Sequence, residues 1–213
     1  MDYLRFTLVS EGTTDESLVP ILKWAVEEQG ISVAEGYFAR WDLLPKRPST
    51  VAEKIIAGLS LQDCDLLFVH RDADSDDPTS RREEIERAVS EARATGKFSV
   101  PAVPVVPIQE TEAWLLLDED AIRRAANNPN GKNDLSLPAR HRIEQITNAK
   151  AELERALREA TEHSGRRLRK FHPESAKKLI VNHLTDFNLL RQLSAFRQLE
   201  ADLATLSAHG WKL

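Results

Sequence analysis

A single cysteine, Cys64, stands in 213 residues, which excludes an internal disulfide and any multi-cysteine zinc site. Its apolar neighbours place it in a buried strand rather than in redox chemistry. No apolar run approaches membrane-spanning length. The first ten residues carry Asp2 and Arg5 and are too short and too charged for a signal peptide. The expectation is a soluble cytoplasmic protein with no membrane partner. Tyrosine is limited to Tyr3 and Tyr37, both in or near expected strands, so no tyrosine is placed for transesterification. No Gly-x-x-x-x-Gly-Lys-Ser/Thr occurs, and any nucleotide-driven step would need another subunit.

Hydrophobic residues make up 41% of the chain, enough for a core of ordinary size. Net charge is −5 but unevenly spread. From Arg123 onward there are 17 Lys+Arg against 10 Asp+Glu, whereas the first 122 residues hold 12 against 24. This asymmetry points to polyanion contact by the basic half. Solvated helix faces that merely differ in charge give the same composition.

Leu4 to Val9 is rich in β-formers and ends at Ser10-Glu11-Gly12, a strand followed by a turn. Thr13 or Thr14 is expected to cap the next helix, whose Leu18, Ile21, Leu22, Ala25 and Val26 share one face. A weaker strand falls within 32–39. Ser49-Thr50 opens a second helix, and Cys64 to His70 is a strand apolar enough to be covered on both faces. Asp76 and Asp77 before Pro78 read as turn and capping residues, and Thr79 or Ser80 starts a charged helix ending near Gly96. Three prolines between Val100 and Ile108 suit an edge strand or a shorter one between them. Gln109 to Leu117 reads as helix. From Asp118 on no strand is expected: Pro138 to Glu162 reads as one long helix, Pro173 opens another, and Leu189 to Leu206 holds one or two more. The alternation predicts an α/β fold, a mostly parallel four-stranded sheet flanked by helices. It occupies 1–120, with an all-helical extension, 121–213, packed on it.

Ligands of parallel α/β sheets bind outside the carboxyl ends of the strands. Glu11 follows the first strand, Asp72 and Asp74 the third, and Glu110 and Glu112 the fourth. Carboxylates gathered at one edge repel one another unless a cation neutralises them, and hard oxygen donors suit magnesium or manganese. An Asp-x-Asp is also ordinary turn chemistry; the combination at one edge carries the metal reading. His70, just before the Asp-x-Asp, is either a structural strand-end residue or a ligand. Arg71 either holds a phosphate or pairs with a neighbouring acid. Arg166, Arg167, Arg169 and Lys170, beside Phe171, suit contacts to a nucleic-acid backbone; cations complementing a helix end give the same pattern. Trp114 reads as core.

Val9-Ser10-Glu11-Gly12-Thr13-Thr14-Asp15-Glu16 resembles the first Toprim motif, and Val69-His70-Arg71-Asp72-Ala73-Asp74 the second. The pattern over roughly 1–120 is similar to the Toprim domains of OLD-family nucleases and their small stand-alone bacterial relatives. In those relatives a stretch like Gln109-Glu110-Thr111-Glu112-Ala113-Trp114-Leu115-Leu116 recurs after the fourth strand. The resemblance implies a Toprim-like fold and a nuclease cleaving DNA or RNA with one or two Mg2+ or Mn2+ ions. It makes Glu11, Asp72, Asp74 and Glu112 catalytic, with Glu11, Asp72, Asp74, Asp15 and Glu110 as metal ligands; the choice between Glu110 and Glu112 stays open. It also implies a separately encoded AAA/ABC-type ATPase partner and a role in anti-phage defence. No residue matches the late lysine of OLD nucleases cleanly; Lys170, Lys177 and Lys178 are candidates, and Lys177 joins the expected nucleic-acid contacts. Rival readings are a small-molecule phosphoesterase and a non-catalytic subunit of an ATPase complex.

Overall fold

A computed structural model describes residues 3–74, 77–96 and 99–208, without the side chains of Thr13, Asp42 and Ser207. The expectations for the Thr13 side chain and for Asp76 lie outside the described residues. The chain divides into two compact units: Met1–Val106 together with Gln198–Leu213, and Pro107–Arg197.

The first unit alternates strand and helix: β1 (Tyr3–Val9), α1 (Val19–Glu27), β2 (Val33–Phe38), α2 (Val51–Leu61), β3 (Leu66–His70), α3 (Pro78–Ala94) and β4 (Ala102–Val105). The four strands pair in parallel in the order β2-β1-β3-β4, the four-stranded α/β architecture expected from the alternation. Every residue of β3 is buried, as its continuous apolar run requires. β4 is an edge strand between Pro101 and Pro107, and Pro104 pairs in register with Val69.

Alternation along the strands sorts the core into two layers. Val9, Leu67 and Val69 pack with Ile55 of α2 and with Ile85, Val89 and Ala92 of α3. Leu4, Phe6, Leu8 and Phe68 take the opposite face, where the Phe6 and Phe68 rings meet edge-on at 5.2 Å. Gly36 pairs with Phe6 and lets α1 approach: a Cβ there would collide with the Phe6 ring and lie 2.7 Å from Val19 Cγ1.

Local capping sets the helix starts. Thr50 caps α2 in a capping box with Glu53. Asp77 caps α3 as expected, its carboxylate accepting the Thr79 N–H at 3.0 Å, and the helix begins at Pro78 rather than at Thr79 or Ser80. The stretch after β1 also differs from expectation. Gly12 precedes a 3-10 turn over Thr13–Leu18 with no side-chain cap of its own, and α1 begins only at Val19. Pro20, which lacks an N–H, fits the first turn of α1.

The second unit contains α4 (Glu112–Leu115), α5 (Glu119–Ala125), α6 (Ala149–Ala160), α7 (Gly165–Arg169) and α8 (Pro173–His183). α9 (Ser194–Ala208) starts in this unit and ends in the first. The helix expected over Gln109 to Leu117 is cut to one turn. Gln109 takes a left-handed backbone (φ 63), and Asp118 starts α5 afresh by accepting the Ala121 N–H at 3.0 Å. The long helix expected from Pro138 to Glu162 is a 3-10 turn over Arg140–Gln145 and then α6. Asn148 breaks it by capping, its side chain accepting the Ala151 N–H at 2.8 Å. Trp114 is core, edge-on to Phe196 at 5.5 Å. Among the described residues no helix is long and apolar enough to cross a membrane.

Gly36→Ala is expected to lower the unfolding free energy by about 1–3 kcal/mol, the scale of overpacking in a filled core. Urea denaturation with an unchanged slope and a lower midpoint checks it.

Candidate active site

Because β1 and β3 are central neighbours while the chain returns to opposite sides of them, the strand order reverses between them. That switch point lies at the carboxyl ends of the strands, where open α/β sheets bind their ligands. Ser10-Glu11-Gly12 leaves β1 there, and Arg71-Asp72-Ala73-Asp74 leaves β3. Glu11, Asp72 and Asp74 therefore come to one edge of one unit. Asp74 turns the chain with a left-handed backbone (φ 52) that Asp tolerates better than most residues.

His70, 1% exposed, ends β3 between two carboxylates. Its Nδ1 lies 3.4 Å from Asp15 Oδ2 and its Nε2 3.3 Å from Asp72 Oδ1. Burial pushes the imidazole toward neutrality, but the two carboxylates outweigh it and raise the pKa from 6.5 to about 10. Burial likewise works against Asp15, which nevertheless stays below the usual aspartate value through His70 and the Gly12 N–H, donated at 3.2 Å. Asp15 thus ties the turn after β1 to the end of β3.

A second chain of ion pairs runs over the same edge. Arg71 Nε lies 3.0 Å from Glu11 Oε1, and Arg71 Nη1 2.9 Å from Glu84 Oε1. Arg81 Nη1 takes the other Glu84 oxygen at 3.0 Å, and Arg81 Nη2 lies 3.9 Å from Asp74 Oδ2. Lys54 donates to the Glu11 carbonyl at 3.3 Å and sits 4.5 Å over the Trp41 ring. Burial first, and then Arg71, lower the Lys54 pKa. Trp41 Nε1 donates to the Ser10 carbonyl at 3.2 Å. Sequence reasoning missed Lys54, Trp41, Arg81 and Glu84; the spacing of Arg81 and Glu84 on one face of the charged α3 was the available signal.

The other expected site residues belong to the second unit, where Glu110, Glu112 and Lys177 have local partners. Glu110 Oε2 accepts the Lys150 N–H at the start of α6 at 2.8 Å. Glu112 Oε1 holds Lys177 Nζ at 2.7 Å, and Glu174 lies 3.2 Å from the same ammonium. Lys177, expected among exposed phosphate contacts, is instead 7% exposed. Burial works against its charge, but the two carboxylates raise its pKa overall. Arg166, Arg167, Arg169 and Lys170 are exposed on and just after α7.

Among the described residues no three His, Cys, Asp or Glu side chains enclose a metal position as they stand. The donors able to meet a hard cation at the switch point are Glu11, Asp72 and Asp74. Their oxygen chemistry fits such an ion.

A folded-state pKa above the unfolded value stabilises fully below the unfolded pKa and is lost as pH rises through the folded one. His70 therefore adds stability that falls between pH 6.5 and about 10. Nitrogen chemical shifts of His70 are expected to stay those of an imidazolium at pH 8. In His70→Gln, the decline in stability across that window is expected to flatten.

The model of one family, described as a domain of unknown function, matches residues 10–204. No curated protein and no solved structure matches the chain. The family match begins with the last residue before Glu11 and extends into α9, so both units are covered, and the chain belongs to the DUF4276 family.

Proposed function

We propose that this chain is a divalent-metal-dependent nuclease with a Toprim-like acidic site. One observation carries the reading: Glu11, Asp72 and Asp74 leave the two central strands at the switch point. Magnesium or manganese, when bound there, would polarise a phosphodiester and lower the pKa of an attacking water. Glu11, Asp72 and Asp74 are the proposed ligands. Glu11, 41% exposed at its side chain, is also the carboxylate able to take a proton at that edge. His70 fixes the Asp72 carboxylate, and Asp15 acts through His70 rather than as a ligand. Glu110 and Glu112 leave the ligand set, since their carboxylates already serve the start of α6 and Lys177.

Arg166, Arg167, Arg169 and Lys170 are proposed to grip the nucleic-acid backbone with little sequence readout. The Toprim resemblance further supports a separately encoded AAA/ABC-type ATPase partner and a role in anti-phage defence. Neutralisation of the acidic edge by the chain's own cations favours one rival, a non-catalytic subunit that needs no metal.

Cleavage of plasmid DNA, single-stranded DNA and tRNA with magnesium or manganese tests the reading. Asp72→Ala/Asp74→Ala is expected to reduce the rate at least about a hundredfold, ~2.7 kcal/mol of transition-state stabilisation. Undiminished cleavage by the variant would sink the proposal. No cleavage by wild type, alone or with a candidate AAA/ABC-type ATPase partner, would favour the non-catalytic rival.

A further inference from the structure

We propose that Lys54 binds a phosphate oxygen of the substrate at the switch point, beside Glu11. The proposal rests on the nuclease reading for the identity of its ligand, a phosphodiester. The base of the Lys54 side chain is fixed. The capping box of Thr50 and Glu53 holds the first turn of α2, and the Lys54 N–H donates to the Thr50 carbonyl at 3.0 Å. The next residue, Ile55, is fully buried in the core. From there the ammonium reaches back to the end of β1, donating to the Glu11 carbonyl at 3.3 Å and lying 4.5 Å over the Trp41 ring. Trp41 is anchored next door, its Nε1 donating to the Ser10 carbonyl at 3.2 Å. Both contacts therefore tie Lys54 to the two residues that follow β1.

Lys54 differs from the other cations of this edge in what it meets. Arg71 pairs with Glu11 and Glu84, Arg81 with Glu84 and Asp74, and His70 with Asp15 and Asp72. Among the described residues Lys54 Nζ forms no ion pair with a carboxylate; it meets a carbonyl dipole and a ring face. Those partners attract a cation but leave its charge unneutralised. An ammonium has three donors, and the Glu11 carbonyl takes one. The side chain is partly buried, so it has already lost part of its hydration. An anion arriving beside Glu11 meets this charge without breaking an ion pair, whereas one arriving at Arg71 must first displace a carboxylate. A compact point charge on a flexible stem suits a single phosphate oxygen. Glu11 turns its carbonyl to Lys54 and its carboxylate to Arg71, so an anion held by Lys54 sits within one residue's reach of a proposed metal ligand.

Acylation of lysines in the full chain, read residue by residue by peptide mass spectrometry, tests this on the wild type. The probe is a short single-stranded oligonucleotide, added with manganese and, separately, with chelator. In at least one of these buffers Lys54 is expected to react about tenfold more slowly when the probe is present, the scale of one charge-assisted hydrogen bond. Lys23, on α1 against the opposite face of the sheet, is expected to react at an unchanged rate. An unprotected Lys54 in both buffers, or equal protection of Lys23, overturns the proposal. Lys54→Gln, checked for fold by circular dichroism, separates contact from shielding. Its slope of log affinity against log salt is expected to shrink by about 0.7, one phosphate contact on a single strand. A slope equal to that of wild type overturns the proposal, because a lysine that only braces the Glu11 turn releases no counterion. If the glutamine variant unfolds, protection in the wild type decides alone. Protection without cleavage would leave this site standing where the nuclease reading fails, and cleavage with Lys54 unprotected would do the reverse.

Discussion

A buried imidazolium between two aspartates organises the carboxyl edge of the sheet. Removing a charge from water is costly unless it is paired, and His70 is paired on both nitrogens, toward Asp15 and toward Asp72. That arrangement needs β1 and β3 as neighbours, since Asp15 follows one and Asp72 the other. The sheet order and the ion pairs therefore depend on each other. Arg71, Glu84 and Arg81 extend the same logic outward, so the acidic edge is neutralised from within the chain.

How much of this was legible in the sequence depended on whether the signal was local. The parallel sheet followed from alternating apolar strands and capped helices, and Glu11, Asp72 and Asp74 followed from where those strands end. Of the two uses the sequence offers His70, structural residue or ligand, its neighbours show the structural one, a bridge between two acids distant in sequence. Arg81 and Glu84 read as one more charged helix face, because nothing local says that Arg71 will land beside them. The α6 start is not legible because Asn148 suits a polar helix interior as well as a cap, and only its bond to the Ala151 N–H makes it one. Glu110 and Glu112 follow a strand, yet within their unit they meet Lys150 and Lys177, partners that only tertiary packing supplies.

Membership in a family described as a domain of unknown function leaves the chemistry to be argued from the site. The proposed nuclease reading rests on the switch-point carboxylates and their internal cations, where a metal ion would exchange for the chain's own positive charges.

Calorimetric titration of manganese into wild type and Asp72→Ala/Asp74→Ala tests that exchange most directly. The account predicts one or two saturable sites in wild type that vanish in the variant while its fold is retained. Wild type that takes up no manganese, or a variant that binds it as tightly, would contradict the account.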